Sequence, residues 1–263
     1  MSKNKLGSAG FPSYFTYLKD PNIIWFNPCW GYHGFWKRLS EFQKEKNIDF
    51  QKAWAHRAMK RNKEMYATAL TALCLQHNLP TEYGWWFTKP IQDPPDGLVA
   101  TPLKDEAVNG NIMHGREVEI VEYLGGSLFD TIQKKLDKKA YEPNTILVCL
   151  LSPQNFEMLD FKSLAKKIQK TKLPLSHIFV AGNGFLSSAT QFEALTYEEK
   201  LKKMRSILLV QLLPKYVTVS ISPDDYCKAF FKGKQSAWLK FQSIGKGTGF
   251  REVKVENPPK LFD

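Results

Sequence analysis

The chain has 263 residues, 43% of them hydrophobic, enough to bury a full core, which excludes a disordered protein. Its 37 Lys and Arg outnumber 26 Asp and Glu to give a formal net charge of +11, which points to a polyanionic partner, nucleic acid or an acidic membrane surface, and says nothing about fold. Cys29, Cys74, Cys149 and Cys227 form no CxxC pair and have no histidine at metal spacing, so they support neither a zinc ribbon nor a disulfide framework. No apolar signal region opens the chain and no run approaches the roughly 18 apolar residues of a membrane span, so a reducing, cytoplasmic setting without a membrane is the expectation.

Residues 1–48 are rich in aromatics and turn formers, as in NPCWGYHGFWKRL, and read as an irregular lobe with one short helix near its end. From Asp49 a long helical run follows, with Ala55, Met59, Tyr66, Ala69 and Leu73 as its buried stripe and Asn78 and Pro80 as its stop. The period then shortens toward two, giving extended segments at 82–89, 96–101 and 116–123 joined by turns.

Leu128, Ile132 and Leu136, four apart among lysines and preceded by Ser127 as N-cap, predict an amphipathic helix. The continuous apolar run TILVCLLSP at 145–153 suits a strand covered on both faces. A second amphipathic helix, capped by Asp160 with Phe161, Leu164, Ala165 and Ile168 inward, leads to a strand at 176–182. A helix near 197–213 and a strand at 215–222 complete a core over 49–222, and a basic extension occupies 223–263.

Within that order, Pro95-Asp96 opens one extended segment, and about twenty residues on, Glu117-Val118-Glu119 lies in the next. Residues i and i+2 of a strand share a face, so Glu117 and Glu119 project together while Val118 and Ile120 turn the other way. With Asp96 on the neighbouring strand, paired so that it sits beside Glu117, three carboxylates converge. Such an oxygen-rich set suits Mg²⁺, and without a cation its charges would repel one another.

The element order, the PD and the paired carboxylates resemble the PD-(D/E)xK nuclease superfamily, which includes many restriction endonucleases; the resemblance spans roughly residues 50–182. It implies an α/β fold with a restriction-endonuclease-like mixed central sheet flanked by helices, an αβββαβ core with N- and C-terminal additions. It further implies a Mg²⁺-dependent endonuclease cutting double-stranded DNA, with a two-fold homodimer to cut both strands. Asp96, Glu117 and Glu119 take the catalytic positions, and Asp96, Glu117 and the helical Glu64 the metal positions. The sequence departs from the pattern where the lysine is expected: that place holds Glu119, as in some restriction endonucleases. Lys134 or Lys135 of the next helix is a substitute, weighed against a solvated helix face. The rival is a catalytically silent nucleic-acid-binding protein of the same fold.

Lys52, Arg57, Lys60 and Arg61 crowd the start of the long helix, with His56 and Lys63, and suit phosphates or a solvated face equally. In the tail, Lys234 and Lys240 alternate with aromatics, as in a nucleic-acid groove or the core of a small subdomain. His114 is a candidate base near the metal.

Overall fold

A computed structural model of the chain describes residues 23–90, 95–105, 110–138, 140–142, 144–153, 158–171, 177–196, 206–222, 238–243, 250–253 and 260–262, with a few isolated positions between them. Its strands are β1 (Trp25–Phe26), β2 (Trp86–Thr88), β3 (Gly97–Asp105), β4 (Gly110–Tyr123), β5 (Ile146–Leu151), β6 (His177–Asn183), β7 (Ile207–Leu213), β8 (Val217–Ile221), β9 (Trp238–Ser243) and β10 (Phe250–Val253). They join into one mixed sheet in the order β10-β9-β1-β2-β3-β4-β5-β6-β7-β8. Only the β4–β5 and β5–β6 neighbours are parallel. Parallel neighbours need a crossover, and helices α4 (Leu128–Leu136) and α5 (Phe161–Lys170) supply the two.

The remaining helices are α1 (Pro28–Lys46), α2 (Phe50–Ala55), α3 (Lys60–Asn78) and α6 (Ala189–Ala194), with a 3₁₀ turn over Arg57–Met59. Asn27 starts α1 by accepting the Cys29 N–H, and Pro28 follows where its missing N–H costs nothing. Asn47, left-handed at φ 51°, ends it. Helices α1 and α3 pack closely: a Cβ on Gly31 would come within 2.6 Å of the Ala69 Cβ and 2.5 Å of the Phe87 ring, so only glycine fits there. Phe35 stacks on Tyr66 at 4.4 Å between ring centres, and Trp54 meets both rings edge-on.

The sheet therefore has two covered faces. Val99, Val118, Ile146, Val148 and Phe179 share one core with α1, α2 and α3. Tyr123, Leu147, Cys149, Ile178 and Val180 share the other with α4 and α5. Strand β5 is buried on both faces, as its unbroken apolar run requires. The sequence from α3 to β5 is helix, three antiparallel strands, helix, strand.

Several expectations are revised. The first 48 residues contain a full helix of 19 residues, and β1 lies inside the sheet between β9 and β2. The sheet thus runs through all three segments bounded at 48 and 222. The long helix from Asp49 is broken by His56, whose ψ of 135° is extended and whose ring caps the 3₁₀ turn. Ala55 is exposed, while Met59, Tyr66, Ala69 and Leu73 are buried. Ile207–Leu213, read as helix, is a strand: seven residues with six buried have no helical stripe to show. Cys29 is disulfide-bonded, although the cysteine spacing supported no disulfide framework, while Cys74 and Cys149 are free buried thiols. Among the described residues no helix is long and apolar enough to cross a membrane.

Candidate active site

Strand β4 carries the acidic residues, and its alternation decides where they point. Val118 lies on the α3 side, buried completely, and Glu122 follows it there, accepting from Trp54 Nε1 and from Lys63 Nζ at 2.6 Å. Glu117 and Glu119 take the other face, under α4. The shared face expected for these two residues is what the strand shows.

Strand β3 supplies the third carboxylate. Gly97 pairs with Val118 and Leu98 with Glu117, so Asp96, one step before the strand, stands level with Glu119 rather than Glu117. The expected pairing is displaced by two residues, which preserves the face. Asp96 Oδ2 accepts the Ile120 N–H at 2.8 Å, continuing the ladder with a side chain where the β3 backbone has ended. The close approach beneath is set by Gly97, where a Cβ would fall 2.0 Å from Thr68 Oγ1 of α3.

Lys135 of α4 completes the group. Its ammonium stands 3.1 Å from Glu119 Oε2 and 3.6 Å from Asp96 Oδ2. Asp96 and Glu119 are 9% and 4% exposed, so these charges meet largely out of water. Burial works to lower the Lys135 pKa, but Asp96 and Glu119 outweigh it, and the ammonium is held above its ordinary value. Tyr141 shares this field. Its hydroxyl donates to the Lys135 carbonyl at 2.9 Å; burial raises its pKa, Lys135 opposes that, and Glu119 and Asp96 add to it.

The other expected site residues lie apart. Glu117 shares the face but sits beside Leu98, one i to i+2 step from Glu119, about 6.7 Å. Glu64 belongs to α3, across the other sheet face, and its carboxylate lies between Arg61 at 2.9 Å and Lys60 at 3.6 Å. The set Asp96, Glu117 and Glu64 is not assembled: among the described residues no three His, Cys, Asp or Glu side chains group as metal ligands. His114 points away from Glu117 and Glu119, edge-on to Trp85, its pKa lowered by burial and by Arg116.

Of the basic residues, Lys52 pairs with Asp49 at 3.1 Å, and Lys60 and Arg61 share Glu64. Arg57 is exposed. Lys234 lies outside the described residues, and of Lys240 only the backbone, in β9, is described. A surface depression of about 620 Å³ bounded by Met158, Asp160, Leu186, Gln191 and Tyr216 includes none of the acidic group.

Lys135 is the residue of this site that the strand motif does not contain. Its signal is helical: it follows Ile132 by three and Thr131 by four, which places it on the flank of the apolar stripe, whereas Lys134 turns outward and is exposed. Tyr141, in the segment after α4, had no signal in its sequence context.

Two neighbouring carboxylates on one sheet face, braced by a backbone N–H and facing one ammonium, form an oxygen-donor pair of the chemistry that Mg²⁺ takes. No protein-family model, no curated protein and no solved structure matches the chain.

Proposed function

We propose that the protein is a Mg²⁺-dependent endonuclease that hydrolyses phosphodiester bonds of double-stranded DNA, with a restriction-endonuclease-like core. The observation that carries this reading is the convergence of Asp96, Glu119 and Lys135 from three successive elements of a helix, three-strand, helix, strand unit. In this reading Asp96 occupies the PD position, Glu119 the acidic position of the second motif, and Lys135 replaces from α4 the lysine that the strand lacks.

Asp96 and Glu119 would hold the ion. Bound there, Mg²⁺ supplies a lowered pKa for a coordinated water and positive charge against the phosphate. The chain's own groups do the rest. The Ile120 N–H fixes Asp96, leaving its other oxygen for coordination. Lys135 keeps its proton at neutral pH, so it serves as a fixed positive charge toward a phosphate oxygen and as a proton donor to the leaving oxygen. Glu117, one step along the face, takes a supporting role. A two-fold dimer would present two such sites to the two strands.

A second reading has its own observation. Lys135 Nζ lies against both carboxylates, which satisfies their charge without a metal and fits a catalytically silent nucleic-acid-binding protein of the same fold. Incubating supercoiled plasmid with the protein in Mg²⁺ or in EDTA separates the two. Mg²⁺-dependent nicking that vanishes in both Asp96→Asn and Glu119→Gln supports the nuclease. Plasmid bound but uncut, in Mg²⁺ and in Mn²⁺ and across plasmids of unrelated sequence, supports the silent binder.

A further inference from the structure

The basic residues that crowd the start of the long helix are mostly neutralised. Lys52, Lys60, Arg61 and Lys63 each pair with an acid: Asp49, Glu64, Glu64 and Glu122. A cation already paired has to exchange one carboxylate for a phosphate, so it adds little to polyanion binding.

The opposite layer differs. Helices α4 and α5 bury Ile132, Leu136, Phe161, Ala165 and Ile168 in one core and are joined at the surface by Lys167, whose ammonium lies 3.7 Å from the centre of the Phe129 ring. Lys134 and Lys138 of this layer, and Lys162, Lys166 and Lys170, are exposed, and none is within ion-pair distance of an acid among the described residues. On α5 the last three are spaced by four, one stripe with steps of about 6 Å. Of the nearby acids, Asp160 caps α5 through Ser163 and also feels the charge of Lys166, and Asp137 accepts from Gln133. This layer covers the same sheet face as Asp96 and Glu119, and Lys135 belongs to it.

We infer that the outer surface of α4 and α5, through Lys134, Lys138, Lys162, Lys166 and Lys170, is where the sugar-phosphate backbone of the nucleic acid lies, and that the start of α3 is not. Unpaired ammonium groups release the phosphate counterions on contact, which is the main source of sequence-independent affinity. The acidic group lies beneath this layer, against Lys135. This inference rests on the phosphodiester reading for its ligand and on the charge pattern for its location.

The test is fluorescence anisotropy of a labelled 30-base-pair duplex in EDTA, where no cutting interferes, from 50 to 300 mM KCl. The variant Lys134→Ala/Lys138→Ala/Lys162→Ala/Lys170→Ala is compared with Lys52→Ala/Lys60→Ala, and circular dichroism confirms that both are folded. Each lost phosphate contact flattens the plot of log affinity against log salt by about 0.9, so the first variant is expected to flatten it by about 2 to 4 and to weaken binding at least about tenfold. The second is expected to change it by less than about 1. A parental slope in the first variant, or a larger effect in the second, overturns the inference and leaves the nuclease reading to its plasmid assay. The expected slopes in a protein that never cuts leave the surface in place and sink the nuclease. Capture by phosphatidylserine vesicles without duplex binding overturns the surface as a nucleic-acid site.

Discussion

Replacing Lys135 by methionine keeps an unbranched side chain as far as Cε and removes the charge that faces Asp96 and Glu119. At 3.1 and 3.6 Å, and with an effective dielectric near 20, each attraction amounts to about 5 kcal/mol before desolvation is subtracted. Taking one partner from a fully buried pair costs about 3–5 kcal/mol, and here the lysine side chain retains 21% of its exposure, so about 2–3 kcal/mol is expected. For a chain of this size that lowers the melting temperature by about 5–10 °C in EDTA. The same change leaves two adjacent carboxylates with no counter-charge, so Mg²⁺ should bind the variant more tightly than the parent. At one hundred times its Kd the ion returns about 2.7 kcal/mol, most of the loss. Differential scanning fluorimetry in EDTA and in Mg²⁺, with calorimetric titration of the ion, reads both effects, while cleavage stays lost. The pH dependence has a definite sign. Because the folded ammonium titrates above its ordinary value, the stabilisation is complete below about pH 10.4 and is lost only as pH rises through the folded value. The parent therefore keeps this contact in full at both pH 6 and pH 8. A variant that melts with the parent in EDTA and binds Mg²⁺ no better would refute the argument that Lys135 holds this pair.

Three further outcomes follow from the same geometry. Asp96→Asn and Glu119→Gln should each reduce plasmid nicking at least about 100-fold while duplex affinity is retained or rises, and Glu117→Gln should reduce it less; equal losses in all three would place Glu117 among the ligands. Gly97→Ala should destabilise by about 1–3 kcal/mol through collision with Thr68, and Thr68→Ala in the same chain should recover part of it; a parental denaturant midpoint for the single variant removes the proposed contact. Burial and the neighbouring Arg116 hold the His177 pKa down at about 4, so its neutral form is the folded form; stability should be full above about pH 6.5 and decline as pH falls toward 4, and the decline should shrink in His177→Asn when urea midpoints are compared.

How much of this was legible depended on whether a residue's surroundings were local. Helices α4 and α5 repeat their apolar positions at three and four, and Ser127 and Asp160 accept from Asp130 N–H and Ser163 N–H as their caps require. Strand β5 shows as an apolar run between turns. The misreadings fall where long-range packing decides: Ile207–Leu213 is buried on both faces and carries no period, and β1 at two residues is too short to register. The acidic face could be read from the i, i+2 spacing alone. The pairing of β3 with β4 could not, since it is fixed where the two strands pack against helices on both sides, and a shift of two keeps every side chain on its face. Lys135 carries a helical signal, its place on the flank of the apolar stripe, which separates it from Lys134, the other lysine of that helix named as a substitute.

Strand β1 gives the sheet an unusual dependence on the order of synthesis. Among the described residues Trp25 and Phe26 are the first strand to be synthesised, yet they pair with Phe87 on one edge and with Leu239 and Trp238 on the other. The second pairing joins positions more than 200 residues apart, so it has to wait until that whole stretch has been made. Until Trp238 has left the ribosome, the outer edge of β1 is an open row of backbone donors and acceptors, able to recruit another chain. A nascent or truncated form ending before β9 would carry that edge permanently, and aggregation during expression should concentrate in such fragments.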